Sequence, residues 1–105
     1  MVGERDGRLC LACGSPATDL HHRQRRREGG HGYENLISLC RTDHNKAHSN
    51  PAWARERGFI VSVSVDDISQ VPLKMYGGWV LLDTEGSYRY ITEKETEALW
   101  ELVSA

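Results

Sequence analysis

Apolar and polar residues in the first half of the chain recur in a pattern that predicts two short strands followed by a helix. Residues 18–22 and 35–39 have the character of strands, and the polar stretch between them is too rich in glycine for either regular element. We expect the two strands to pair antiparallel, because a loop of this kind easily joins neighbouring strands. A helix over 41–49 follows, and it ends before Pro51 because the residue preceding a proline avoids the α region.

The second half of the chain has a different pattern, which predicts a small antiparallel β region and a final helix. A short helix over 52–57, ended by Gly58, precedes this region. The elements expected after it are a strand at 59–65, an edge strand at 71–75, a hairpin of 79–82 with 87–91, and a helix over 92–103. Thr92 and Glu95 form a capping box at the start of that helix. Residues 1–8 are polar, and we expect them to be frayed.

These elements together predict an α+β fold, and a chain of 105 residues is expected to form a single domain. Residues 1–57 would form a cysteine knuckle and the strand–strand–helix core, and residues 58–105 would form an extension packed on that core. A chain this short buries a modest core, so a structural metal ion would add appreciably to its stability.

Charge is divided unevenly between these two parts of the chain. Residues 1–57 carry ten Lys and Arg against seven Asp and Glu, or +3, whereas residues 58–105 carry three against eight, or −5, which sums to the net −2 of the whole chain. A cluster of arginines beside His21 and His22 is expected to grip a phosphate backbone. Its members are Arg23, Arg25, Arg26 and Arg27. The basic part of the chain therefore predicts DNA as a partner.

All five histidines and all three cysteines lie between residues 10 and 48, which indicates a metal site. His44 and His48 are four residues apart, so their rings project from one face of the predicted helix. Successive strand residues face opposite sides, so one of His21 and His22 can join that pair while the other faces a groove. A C-x-x-C pair at Cys10 with a distant third cysteine indicates metal binding before a disulfide.

This stretch resembles the HNH endonucleases, which have the ββα-metal fold. The matching motifs are H-H-R, then G-G, then E-N-L-I-S-L-C, then D-H-N-K-A-H, and residues 10–48 carry them. The C-x-x-C and the cysteine that closes the second strand are similar to those of the zinc-containing branch of the family. Parts of residues 53–83 also resemble small HNH proteins of tailed phages and their bacterial hosts.

The resemblance implies a role for each histidine and for one asparagine. His22 would be the general base that deprotonates water, and Asn35 would pin the loop between the strands and orient that base. His21, His44 and His48 would hold one catalytic divalent cation, with His44 also counted among the catalytic residues. The motif leaves Mn, Ni, Co, Zn and Mg open, and three imidazoles favour a transition metal over Mg²⁺.

The resemblance also implies a structural zinc, although one expected ligand differs. The zinc-containing branch usually has a second C-x-x-C, and this chain has Asp43 where its fourth cysteine would stand. We expect zinc to be held by Cys10, Cys13, Cys40 and Asp43. A ligand from elsewhere, such as His31, and three thiols without an ion are the alternatives.

The function that follows is a metal-dependent endonuclease that nicks or cuts DNA. The alternatives are a non-catalytic zinc module that binds DNA or protein, and an accessory of phage DNA packaging. Two sites would be needed for a double-strand break, so a homodimer is possible, and phage terminase or packaging proteins are possible partners. No apolar run has the length of a membrane span and the charged N-terminus is unlike a signal peptide, which predicts a cytoplasmic protein, in the host cytoplasm if a phage encodes it.

Overall fold

Two small antiparallel sheets and four helices make up the part of the chain that the computed structural model describes, which is residues 2–25, 30 and 32–104. In chain order the elements are helix α1 (Val2–Arg5), strand β1 (Asp19–His22), a 3₁₀ turn (Tyr33–Asn35), strand β2 (Leu36–Leu39), helix α2 (Arg41–Ser49), helix α3 (Pro51–Glu56), a second 3₁₀ turn (Ile68–Gln70), strand β3 (Leu73–Met75), strand β4 (Gly78–Leu82), strand β5 (Tyr88–Tyr90) and helix α4 (Glu93–Ser104). The predicted α+β class is confirmed. None of the described helices is both long and apolar enough to cross a membrane.

Strands β1 and β2 form an antiparallel hairpin on which α2 packs. Asp19 pairs with Leu39 and His21 pairs with Ile37, and the side chains of Ile37 and Leu39 are fully buried in the core. Helix α2 starts where the Cys40 sulfur accepts the Asp43 backbone N–H at 3.4 Å, which satisfies one of the free N–H groups of the first turn.

Helix α3 begins directly after α2 because Asn50 serves both helix ends. Its backbone N–H closes the last turn of α2, and its side-chain oxygen accepts the Trp53 N–H at 3.3 Å. Pro51 then takes the first helical position, where a missing N–H is tolerated. Gly58 ends α3 with a φ of +79°, and the Pro72 carbonyl lies where a Cβ would stand, so this position requires glycine.

The larger of two apolar clusters joins the hairpin, α2 and α3 to the β3–β4–β5 sheet. The sheet is antiparallel with β4 at its centre. The fully enclosed members of the core are Cys10, Leu11, Ile37, Leu39, Ala47, Ala54, Phe59, Leu73, Met75, Val80 and Leu82. Because residues from both parts of the chain contribute to it, the second part buttresses the elements that carry the histidines.

The strand predicted at 59–65 is absent, and that prediction was wrong. The backbone groups of this segment bind partners on and beyond β1 rather than those of a neighbouring strand. The Phe59 carbonyl lies 2.7 Å from the His21 ring nitrogen, and the Val61 N–H donates to the Arg23 carbonyl at 2.8 Å. The β-branched residues that suggested a strand therefore serve an extended connection that runs along the wall of a cleft.

The N-terminal segment is ordered by a buried ion pair, contrary to the expectation that residues 1–8 are frayed. Arg5 lies 2.6 Å from Asp6, and it also donates to the Tyr33 and Leu36 carbonyls. The Asp6 carboxylate accepts the Ser38 backbone N–H at 3.0 Å. This arrangement ties helix α1 to the start and the middle of β2.

Candidate metal centres and nucleic-acid cleft

Three imidazoles converge where β1 meets α2. His21 comes from the strand, and His44 and His48 come from successive turns of the helix. Their potential ligand atoms all lie within 4.8 Å of one another. The ring centroids are 5.2 Å apart for His21 and His44, 5.8 Å for His21 and His48, and 4.9 Å for His44 and His48.

In two of these rings, one nitrogen makes a hydrogen bond away from the cluster. The lone pair of the other nitrogen therefore faces the centre of the cluster. His21 Nε2 lies 2.7 Å from the Phe59 carbonyl, which can only accept, so Nε2 carries the hydrogen and Nδ1 is bare. His44 Nδ1 lies 2.7 Å from Asp19 Oδ2, so its Nε2 is bare for the same reason. The Arg41 guanidinium, and then His44, hold the pKa of the Asp19 carboxyl below its usual range, so Asp19 stays charged. Such outer partners fix the orientation of metal-binding histidines.

The spacing of the nitrogens suits a bound cation. His44 Nε2 and His48 Nε2 are 3.3 Å apart, and two ligands at about 2.0–2.1 Å from a tetrahedral ion are separated by about 3.3–3.4 Å. Burial lowers the pKa of His21 to about 4, so this ring is neutral at pH 7 and keeps its lone pair. The donor set therefore fits a divalent cation, and an all-imidazole set suits transition metals better than Mg²⁺.

A second cluster of donors lies at the N-terminus of α2. Ligand atoms of Cys10, Cys13, Cys40 and Asp43 lie within 4.8 Å of one another. The Cys13 and Cys40 sulfurs are 3.9 Å apart, and Asp43 Oδ2 lies 3.2 Å from Cys10 Sγ and 3.3 Å from Cys40 Sγ. Tetrahedral zinc would place two sulfurs about 3.8 Å apart and a sulfur and an oxygen about 3.5 Å apart. The cluster therefore fits a zinc knuckle.

Without a bound cation, hydrogen bonds from the thiols of Cys10 and Cys40 to the Asp43 carboxylate hold this cluster together. Burial raises the pKa of the Cys10 thiol to about 12, and burial also raises the pKa of Cys40. Burial acts to raise the pKa of Asp43 as well, but hydrogen bonds from the thiols of Cys13, Cys10 and Cys40 outweigh it and lower that pKa. A metal ion that binds here would displace thiol protons, so binding depends on pH.

A cleft of about 740 Å³ opens onto the three histidines. His22, half-buried and next to His21 on β1, lies in its wall. Two exposed arginines, Arg25 and Arg55, line the same cleft. Leu20 and Val63, with 58% and 54% of their surfaces exposed, complete its rim. The cleft therefore combines a cluster of metal-capable nitrogens with positive charge.

Comparison with known families agrees with this geometry. Residues 10–50 match the family model described as HNH endonuclease. Residues 10–50 are therefore similar to an HNH domain. The resemblance noted from the motifs is thus confirmed for these residues, and an HNH domain suggests a nuclease-type function. No curated protein and no solved structure gave a significant match.

Within the HNH domain, Asn35 is fully buried and closes the loop between the strands. Its Oδ1 accepts the Gln24 backbone N–H at 2.7 Å, and its Nδ2 donates to the carbonyls of Gln24 and Gly30 at 3.0 and 2.8 Å. These bonds join the start and the end of a connection whose middle lies outside the described residues. Asn35 thereby holds the chain in place immediately after His22 and Arg23.

Arg23 requires a correction, because the sequence analysis expected it to bind phosphate. Only 1% of its surface is exposed. Its guanidinium donates to the carbonyls of Gly58, Glu34 and Val71 at 2.7, 3.1 and 2.9 Å. Because the side chain is enclosed and bonded to three backbone carbonyls, it presents no surface to DNA, so Arg23 is a structural residue. Arg26, Arg27 and His31 lie outside the described residues.

The sequence analysis missed two residues of the candidate site, Asp19 and Arg55. Asp19 stands two residues before His21, so it lies on the same side of β1, which faces α2. The two-residue period of a strand could have identified it from the sequence. Arg55 stands seven residues after His48 on the following helix and reaches the same cleft. No local pattern identifies Arg55, because its position depends on the angle between α2 and α3.

Proposed function

We propose that this protein is a metal-dependent endonuclease that hydrolyses phosphodiester bonds of DNA. The observation that carries this proposal is the convergence of ring nitrogens of His21, His44 and His48 at the base of a cleft whose wall holds His22. A cation site beside a separate imidazole supplies the two components that metal-assisted hydrolysis of a phosphodiester requires.

In this proposal His22 is the general base. Histidine changes its protonation near neutral pH, so the neutral ring can take a proton from a water molecule. The water oxygen attacks phosphorus in line with the 3′ oxygen, which leaves and takes a proton from solvent, so the products are a 3′ hydroxyl and a 5′ phosphate. The divalent ion held by the other three histidines, when bound, stabilises the negative charge that develops on the phosphate and on the leaving oxygen.

Other residues of the domain position the base and the substrate. Asn35 holds the loop that follows His22 through its bonds to Gln24 and Gly30, so it acts as a positioning residue. Arg25 and Arg55 line the cleft, and their guanidinium forks suit phosphate oxygens. We include Arg26 and Arg27 among the DNA contacts because they extend the same basic run.

Zinc at the cysteine cluster would have a structural task in this proposal. Cys40 caps α2 and belongs to the cluster, and His44 follows one turn later on the same helix. An ion held by Cys10, Cys13, Cys40 and Asp43 would therefore anchor the end of the helix that carries two ligands of the catalytic ion.

Cleavage of supercoiled plasmid tests the proposal directly. We expect nicked and linear products in Mn²⁺ or Ni²⁺, less in Mg²⁺, and none when EDTA is present. His22→Ala should remove cleavage and retain metal content and DNA binding, whereas His44→Ala should lose cleavage and catalytic metal together. Both variants, purified identically, also control for contaminating nucleases.

The outcome that would refute the proposal is equally specific. If His22→Ala cleaves DNA at the rate of the parent protein, His22 is not the general base. A parent protein that binds DNA but cuts nothing with any of these ions would instead favour a non-catalytic zinc module or an accessory of phage DNA packaging.

A further inference from the structure

A second concave surface with positive charge lies across α2 from the histidines. It encloses about 410 Å³, and its lining includes Lys46, Arg57 and Lys74, which we call the cationic face. Successive helical residues are about 100° apart, so Lys46 lies about 200° around α2 from His44 and about as far from His48. The cationic face and the histidine cleft therefore occupy opposite sides of one helix.

Asp43 also lines this surface, but among the described residues no carboxylate lies within ion-pair distance of the three cations of the cationic face. Among the described residues the arginines in ion pairs are Arg5, Arg41 and Arg89, and none of the three cations of this face takes part in one. Aromatic rings lie near these cations instead. Lys46 Nζ lies 4.4 Å and Arg57 Cζ lies 5.3 Å from the centre of the Trp53 ring, and a ring holds a cation in place without cancelling its charge.

Backbone bonds bring cations from separate elements to this one place. The Lys74 N–H donates to the Arg57 carbonyl at 2.8 Å, which sets β3 beside the end of α3. Lys74 is one of only three basic residues among the 48 of the net-negative part, residues 58–105. Its position next to Arg57 concentrates positive charge on the side of the molecule that α2 and α3 already make basic.

We propose that the cationic face binds backbone phosphates of the DNA whose scissile bond enters the histidine cleft. The inference rests on the proposed function, since it assigns a further contact to the same substrate. A helix with its side chains is about 10–12 Å across, and the major groove of B-DNA is about 12 Å wide. One duplex can therefore contact both sides of α2, with the cationic face supplying sequence-independent affinity.

A different task for these cations is to balance the charge of the neighbouring metal cluster. Zinc with three thiolates and one carboxylate would carry a charge of −2, and Lys46 already contributes to lowering the pKa of Asp43. Three cations exceed that charge by one, and Lys74 reaches the face from another element. A measurement of zinc content separates the two tasks.

The test compares two triple variants that remove the same net charge. The first replaces Lys46, Arg57 and Lys74 by Gln, which keeps much of each side-chain stem. The matched control replaces Arg8, Arg89 and Lys94 by Gln, all of them exposed and outside the face. Both are made in the His22→Ala background to prevent cleavage. Their affinity for a short fluorescent duplex of arbitrary sequence is measured by anisotropy over a series of salt concentrations.

We expect the first variant to bind about ten- to a hundredfold more weakly near physiological salt. Its slope of log K against log salt should fall in magnitude by about 2–3, because each lost phosphate contact removes about 0.9. The control should lose less than about threefold in affinity, and both should keep their zinc.

Equal losses of affinity in the two variants would overturn the inference, because net charge alone would explain them. Loss of zinc from the first variant with unchanged DNA binding would assign the cations to the cysteine cluster instead. These readouts do not require cleavage, so a parent protein that binds DNA in a salt-dependent way but never cuts it would refute the proposed function alone.

Discussion

Replacement of Arg23 by Met distinguishes a structural arginine from one that binds DNA. Arg23 lies within the basic run that suggested phosphate contacts, but its guanidinium is enclosed and bonded to three carbonyls. Those carbonyls belong to Glu34, Gly58 and Val71, which lie before β2, after α3 and before β3. The variant keeps the apolar stem while it removes every donor.

The expected loss of stability follows from the acceptors that would be left behind. A buried polar group deprived of its partner costs about 1–3 kcal/mol. Three carbonyls at the lower half of that range give a loss of about 3–6 kcal/mol in the free energy of unfolding. Domains of this size have about 5–15 kcal/mol in total, so Arg23→Met should unfold at much lower urea concentration.

Urea unfolding followed by circular dichroism measures this loss, and Arg25→Met provides the control. Arg25 is exposed in the cleft, so its replacement should change stability by less than about 0.5 kcal/mol while it weakens DNA binding. The reasoning is refuted if Arg23→Met unfolds like the parent protein and loses only DNA affinity, because Arg23 would then be the phosphate contact that its sequence context suggested.

Three further predictions concern the two metal centres. Asp19→Asn should weaken metal binding at the histidine cluster by about 10–100-fold, because the His44 ring loses its charged partner; titration calorimetry measures this, and an unchanged affinity would contradict it. Asp43→Ala should release zinc during dialysis while Asp43→Cys retains it, as elemental analysis would show; zinc that survives in the alanine variant would exclude Asp43 as a ligand. The metal-free protein should lose stability as pH falls from 6.5 towards 4, because the unfolded chain binds a proton at His21 that the folded chain does not. Thermal melts across that range test this, and His21→Gln should reduce the dependence, although carboxylates with a lowered pKa such as Asp19 and Asp43 still contribute near pH 4.

The two candidate metal centres share helix α2, which has a consequence for their energetics. Cys40 lies at its N-cap, and His44 and His48 lie on its next two turns. An ion at the cysteine cluster would fix the start of the helix, and an ion at the histidine cluster would fix its exposed face against β1. Removal of the first ion should therefore weaken binding of the second, since the start of the helix would then lack the ion that fixes it.

Several features of this protein were available in the sequence because they depend on neighbouring residues. Helix α2 has the predicted bounds, 41–49, since its start is capped by Cys40 and its end is set by Asn50 and Pro51. The capping box of α4 is present, with Thr92 and Glu95 exchanging hydrogen bonds at 3.2 and 3.1 Å. The pairing of the two histidines on one helix face follows from the helical period in the same way.

Other features were decided by tertiary structure alone, because their partners are distant in the chain. Arg23 is buried by carbonyls 35 and 48 residues away, and nothing in its neighbourhood distinguishes it from the exposed Arg25. The segment 59–65 has β-branched residues, but its backbone binds His21 and Arg23 instead of a strand. Propensity and periodicity describe interactions within a few residues. Which group a buried donor or acceptor bonds to is decided only when distant segments pack together.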